Sequence, residues 1–254
     1  MQDPSSIHVG TSGYNYPEWR GTFYPEKLAT AKMLAYYSAR FSTVEINYTF
    51  YRMPTERLLE GWAAGTPDGF QFTLKAPRRI THDARLQRCE DLLDAFCRTA
   101  ATLGPKLGTL LFQLPPAFKK DAAVLRAFTE RLPPAARAAV EFRHPSWFDA
   151  EIYDVLRARN VALCIADSEK LATPVEVTAD YGYFRLRDEG YQPADLARWA
   201  ATAAGLPGLR DVFVYFKHEE EGKGPAFARE FLQALGGDPY TWSRANATTD
   251  DSAQ

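Results

Sequence analysis

The chain has 254 residues, 46% of them hydrophobic, and a formal net charge of −2. That length suits one α/β barrel or two small domains, and the apolar content is ample for a single core. The charge balance excludes the overall basicity that advertises nucleic acid, so any attraction for an anion has to be local.

Eight short apolar runs predict eight strands, and helical stripes separate most of them. The runs are Ile7–Ser12, Thr43–Tyr48, Phe70–Lys75, Gly108–Leu114, Ala139–Arg143, Ala162–Asp167, Tyr181–Arg187 and Val212–Lys217. After the first run, residues 13–30 form a long aromatic connection that reads as a structured rim loop. Ala31–Arg40 and Thr55–Ala64 then read as helices. Leu86–Leu103 carries an apolar stripe that stops at Gly104-Pro105. Asp121 and Asp149 stand as N-caps of the next two helices. Only Ser168–Asp180 separates the sixth and seventh runs, and Pro174 lies inside it, so the sixth helix is expected to be short or absent. Pro193 and Pro225 sit where helices should begin, with Gly205 and Gly236 where they should end. The expectation is one (β/α)₈ barrel of the TIM type over residues 1–244, followed by a frayed tail, residues 245–254.

Three cysteines show neither a Cys-x-x-Cys nor a metal-type spacing. Cys89 and Cys97 would lie roughly 12 Å apart on one helix, too far for a disulfide, and Cys164 falls in an apolar strand. Met1–Ser6 lacks a signal pattern, and no apolar run approaches about 18 residues. The expected location is a reducing cytoplasm, with no membrane contact.

Strand side chains alternate between faces. Val44 and Ile46 oppose Glu45 and Asn47; Phe72 and Leu74 oppose Thr73 and Lys75; Phe112 opposes Gln113. Val140 and Phe142 oppose Glu141 and Arg143, Phe184 and Leu186 oppose Arg185 and Arg187, and Val214 and Phe216 oppose Tyr215 and Lys217. Only the apolar face packs cheaply against helices, so the polar set should point into the barrel, where active sites of this fold lie at the C-terminal strand ends. Lys75, Arg143, Arg185, Arg187 and Lys217 then outnumber Glu45 and Glu141, which predicts a cationic mouth suited to phosphate or carboxylate.

Within that mouth, Glu45, Glu141 and Lys75 are the candidate catalytic groups. Asn47, Gln113, Arg143, His144, Arg185, Arg187, Lys217, His218, Trp19 and Trp147 are the candidate ligand contacts. Two carboxylates can divide acid and base roles when their environments separate their pKa values; neighbouring cations would instead keep both ionised, as charge balance. Tyr14, Tyr16, Trp19, Tyr48, Phe50, Tyr51 and Trp147 follow strand ends and offer rings for stacking, or else pack the first loop onto the barrel. No metal ligand set is assigned: Glu45, Glu141, His144, Asp167 and His218 are the nearest to one, and the excess cations oppose a divalent ion. His8 lies at the opposite end of the barrel, and His82 in a loop or helix start. No organic cofactor motif is present.

These residues in this order resemble the YecE-like family, domain of unknown function 72. The likeness runs from about Val9 to Leu235. Its carriers are Gly10-Thr11-Ser12-Gly13 with Trp19, Glu45-Ile46-Asn47 with Phe50-Tyr51, Phe72 with Lys75-Ala76-Pro77, and Gln113-Leu114-Pro115-Pro116. Glu141-Phe142-Arg143-His144 with Trp147, and Thr178-Ala179-Asp180 leading to Arg185-Leu186, complete them. The resemblance implies a TIM barrel but no reaction. The family often has His-Gly where Arg187-Asp188 stand here, and paired Asn where Lys217-His218 stand, so this pocket is expected to be more basic.

The leading expectation is a hydrolase or lyase acting on a phosphorylated ligand, such as a nucleotide or a nucleic-acid end. One alternative is a binding protein for the same anions without turnover. Another is a sugar isomerase or aldolase-like enzyme using Lys75 as a Schiff base.

Overall fold

The computed structural model describes residues 6–167 and 171–237. Eight parallel strands alternate with helices. The strands are β1 (Ser6–Thr11), β2 (Thr43–Ile46), β3 (Gln71–Lys75), β4 (Leu107–Gln113), β5 (Ala138–Glu141), β6 (Ala162–Ala166), β7 (Tyr181–Leu186) and β8 (Asp211–Phe216). The helices are α1 (Met33–Ser38), α2 (Tyr48–Tyr51), α3 (Glu56–Ala64), α4 (Glu90–Ala100), α5 (Ala122–Arg131), α6 (Ala150–Arg157), α7 (Pro193–Gly205) and α8 (Lys223–Ala234).

The strands pair in the order β1-β8-β7-β6-β5-β4-β3-β2, and the two ends of this sheet meet at a seam. Ser12 bridges Glu45 there, and the Gly13 N–H donates to the Glu45 carbonyl at 2.7 Å. Deeper in the seam the Tyr37 hydroxyl replaces ladder bonds: it accepts from the Thr11 N–H at 2.8 Å and donates to the Thr43 carbonyl at 3.1 Å. Gly10 makes this approach possible, because a Cβ there would stand 2.0 Å from the Thr43 carbonyl oxygen.

The alternation of faces is as expected. The outward set packs on helices: Phe72 on Trp62 of α3, Phe112 on Phe128 of α5, Phe184 on Trp199 of α7 and Phe216 on Phe231 of α8, with ring centroids 5.0–6.1 Å apart. The inward set fills the barrel in layers. At the N-terminal end, Phe213 packs against both the His8 ring and the Arg137 guanidinium, each 5.0 Å away, and Arg137 pairs with Asp211 at 2.7 Å. In the middle the Tyr215 hydroxyl bonds both Thr43 and Thr73 at 2.7 Å. The charged residues cap these layers.

Caps fall where the sequence places them. Asp121 accepts from the Val124 N–H and Asp149 from the Glu151 N–H, both at 3.0 Å, and Pro193 opens α7. Three helix starts shift by more than one residue. The predicted helix Ala31–Arg40 shortens to α1 behind a 3₁₀ turn, Thr30–Lys32. α4 begins at Glu90 rather than Leu86, because Arg85, Leu86 and Arg88 take positive φ and cannot continue a helix; Cys89 therefore stands as its N-cap. α8 begins at Lys223, two residues before Pro225.

Between β6 and β7 no helix occurs among the described residues. Thr178 holds that connection instead, accepting from the Leu163 N–H and donating to the Val161 carbonyl, both at 2.7 Å. The predicted tail, residues 245–254, lies outside the described residues. All three cysteines are free and buried. Among the described residues no helix is long and apolar enough to cross a membrane.

Candidate functional site

The C-terminal end of the barrel is floored by a buried ionic trio drawn from three strands. Glu45 ends β2 but for one residue, Glu141 ends β5, and Arg185 lies one residue before the end of β7. None has any side-chain exposure. Arg185 Nη2 pairs with Glu45 Oε1 at 2.8 Å, and its Nη1 pairs with Glu141 Oε2. The Tyr183 hydroxyl donates to the other Glu45 oxygen at 2.5 Å. Glu141 Oε1 also takes Arg143 Nε, Arg187 Nη1 at 3.4 Å and Gln113 Nε2 at 3.1 Å. Parallel register delivers this last contact, since Gln113 is the β4 partner of Glu141.

Burial alone would push both carboxyls up, yet the Arg185 charge and its neighbours hold them below the ordinary carboxylate range, Glu141 most strongly. Both are therefore ionised near neutrality. Of the two expectations for this pair, division of acid and base roles and mutual charge balance, the geometry favours charge balance. Arg185 serves as their shared counter-ion. It is sealed beneath the mouth, which removes it from the set of accessible ligand contacts.

The remaining cations stand around this floor with partial exposure: 28% for Arg143, 19% for Arg187 and 33% for Lys217. Asp167 fixes the Arg187 backbone by accepting its N–H at 2.7 Å. Lys75, the last residue of β3, is buried. Its Nζ lies 4.2 Å from the Phe50 ring centroid, and among the described residues no carboxylate oxygen lies within 4 Å of it. Burial, with Arg185 and Lys217 acting against the pull of the two glutamates, lowers its pKa from 10.5 to about 7. Lys217 is also lowered, by burial and by Arg185 and Arg187.

The other predicted contacts are dispersed. His144 Nδ1 accepts from the Ser146 N–H at 3.2 Å and bonds the Ser146 hydroxyl at 2.8 Å, so it caps the turn at Pro145–Trp147. His218 donates through Nε2 to the Asp188 carbonyl at 2.7 Å, and its ring packs 4.9 Å from Phe227. Burial lowers its pKa. Trp19 and Trp147 present no face to a ligand. Both are fully buried. The Trp19 indole donates to the Glu219 carbonyl at 2.8 Å, and the Trp147 indole donates to that of Phe118 at 2.7 Å while stacking on Phe142. Of the two roles open to these rings, packing the loops onto the barrel is the one they fill. Asn47 lies at the edge of the mouth, with its Oδ1 buried and unpartnered.

His82 is the residue that sequence reasoning set aside. A π-helical turn, Arg79–Asp83, brings its ring 5.0 Å from Phe50. Burial and the charges of Lys75, Arg78 and Arg143 lower its pKa, against the pull of Asp83. Nothing periodic in the sequence announces a π-turn. Among the described residues no cluster of three or more His, Cys, Asp or Glu is arranged to hold a metal ion.

Residues 8–250 match the family described as "Protein of unknown function DUF72". The chain belongs to the DUF72 family. It is 32% identical to the UPF0759 protein YecE of Escherichia coli K12 over 143 residues, 56% of this chain and 50% of that protein. It is 34% identical to the UPF0759 protein YunF of Bacillus subtilis 168 over 157 residues, 58% of this chain and 54% of that protein. The matched segments thus span about half the length of these curated relatives. A solved DUF72 protein of Thermotoga maritima MSB8 superposes with a TM-score of 0.82 at 29% identity, covering 91% of this chain and 99% of that one. The DUF72 barrel is therefore this chain's fold from end to end of its strands.

Proposed function

We propose that this DUF72 barrel is an enzyme of lyase or hydrolase type that binds a phosphorylated small molecule at its mouth. Arg143, Arg187 and Lys217 hold the anion, and Lys75 moves the proton. The observation that carries this reading is the Lys75 amine, buried against the Phe50 ring at 4.2 Å with no carboxylate oxygen within 4 Å among the described residues; burial and the neighbouring cations lower its pKa to about 7. A base is most effective when its pKa lies near the working pH. The neutral Nζ accepts a proton from a substrate carbon or from an attacking water. The guanidinium groups of Arg143 and Arg187 stabilise the negative charge that develops on the phosphate side. Glu45 and Glu141 take no proton in this scheme; they hold Arg185, and through it the shape of the floor.

The same low-pKa amine supports a second reading, attack of Lys75 on a substrate carbonyl to form a Schiff base. Borohydride trapping with small keto and aldehyde phosphates separates the two, because only the second leaves a covalent adduct on Lys75.

Calorimetric titration with inorganic phosphate tests the anion site itself. Arg143→Ala and Arg187→Ala should each weaken binding about tenfold, the scale of one charge-assisted hydrogen bond. Unchanged affinity in both variants overturns the reading.

A further inference from the structure

On the β1–β2 side of the mouth lies a cavity of about 250 Å³. Tyr14 and Tyr16 of the first loop line it, with Asn47, Tyr48 of α2, and Leu58 and Trp62 of α3. Among the described residues no charged side chain lines it. Its walls are fixed by contacts outside it: Trp62 is stacked on Phe72 at 5.9 Å and Tyr16 packs on Trp19 at 4.8 Å. Gly13, at φ +95, lets Tyr16 fold back over the turn, since a Cβ there would lie 2.4 Å from the Tyr16 hydroxyl oxygen. That hydroxyl donates to the Ser12 carbonyl at 2.9 Å.

One buried side-chain polar atom in this lining lacks a partner among the described residues. Asn47 Oδ1 is buried and accepts no hydrogen bond. A buried acceptor left empty is costly, and native structures seldom leave one without a reason. Aromatic walls with a small number of placed polar groups, here the amides of Asn47 and Asn15, are the usual make-up of a small-molecule site. They select an uncharged planar ring that carries an N–H or O–H donor. Asn47 stands two residues beyond Glu45, about 7 Å along an extended chain from the floor of the mouth.

We propose that this cavity holds the amine-bearing heteroaromatic ring of a ligand whose phosphate sits at the mouth, which makes a nucleoside monophosphate the substrate class. The phosphate half rests on the reading of the mouth given above; the ring half rests on Asn47 and the aromatic walls alone.

The test measures binding of three probes: adenosine, adenosine 5′-monophosphate and inorganic phosphate. The variants are Asn47→Leu, which removes the unpartnered Oδ1 together with the amide that hydrogen-bonds Tyr16, and Tyr48→Ala, which removes a ring 45% exposed. Melting curves confirm that both fold. Adenosine should bind the wild type and should weaken about tenfold in Asn47→Leu, the scale of one hydrogen bond. It should also weaken in Tyr48→Ala. The monophosphate should bind more tightly than either fragment, while phosphate affinity stays the same in all three proteins. Failure of adenosine to bind, or equal binding by wild type and both variants, overturns the proposal. Loss of phosphate binding alone, with adenosine still dependent on Asn47, overturns the reading of the mouth and supports the assignment of the cavity.

Discussion

Arg185 Nη2 lies 2.8 Å from Glu45 Oε1, and neither side chain has any exposure to solvent. The same guanidinium also serves Glu141. One cation shared by two carboxylates leaves the floor of the mouth negative. Arg143, Arg187 and Lys217 more than offset that charge from above.

Arg185→Met should therefore destabilise the barrel by about 3–5 kcal/mol, the cost of leaving buried charges without their partner. Arg143→Ala, at a partly exposed site, should cost about 1 kcal/mol or less. Urea denaturation of the two variants measures both. Similar losses for the two would mean that the carboxylates find other partners and that Arg185 is not their keystone.

Lys75 carries a stability penalty with a defined pH window. Its pKa is about 7 in the fold against 10.5 for an unperturbed lysine. Between those values the unfolded chain binds more protons than the folded one, so stability rises with pH across the window. The penalty is complete below the lower value and absent above the upper one. Lys75→Met should stabilise the protein near neutrality by on the order of 1–3 kcal/mol, and this advantage should shrink as the pH rises toward 10. A variant no more stable than wild type near neutrality would mean that Lys75 is not held in its uncharged form by the fold.

Glu141 works in the opposite direction. Its folded pKa lies well below 4.5, because the attraction of Arg185, Arg143 and Arg187 outweighs burial. The stability it contributes is fully present above that unfolded value and is lost as the pH falls toward the folded one. Glu141→Gln should be less stable than wild type at neutral pH and should show a flatter loss of stability on acidification. Parallel acid limbs in the two proteins would contradict this assignment.

Much of this arrangement is legible in the sequence, because strand parity follows from a two-residue repeat. Glu45, Lys75, Gln113, Glu141, Arg185 and Arg187 fall on one face by counting alone. Depth along the strand is harder to count. Arg185 and Arg187 share a face, yet Arg185 pairs in register with Ala166 and Tyr215 inside the barrel, whereas Arg187 has passed the end of β7 and reaches the rim. One is a buried counter-ion and the other an accessible cation, although their residue type is the same. The closure at Tyr37 is equally hidden, because a hydroxyl on α1 stands in for ladder bonds between β1 and β2. Trp19 and Trp147 follow strand ends as ligand-stacking rings would, and only the carbonyls that receive their indole N–H groups reveal them as packing. His82 depends on a π-turn, whose five-residue spacing leaves no stripe in the sequence.

An anion at the mouth and a neutral Lys75 are coupled, and proton uptake on binding tests both together. An anion beside Lys75 favours its charged form and raises its pKa. Sulfate suits the measurement, being a tetrahedral dianion that does not titrate near neutrality. Calorimetry at about pH 7.5, repeated in two buffers of different ionisation enthalpy, gives the number of protons taken up per sulfate bound. The account predicts uptake of a fraction of a proton by the wild type and none by Lys75→Met. Sulfate binding without proton uptake, or uptake unchanged in Lys75→Met, would contradict it.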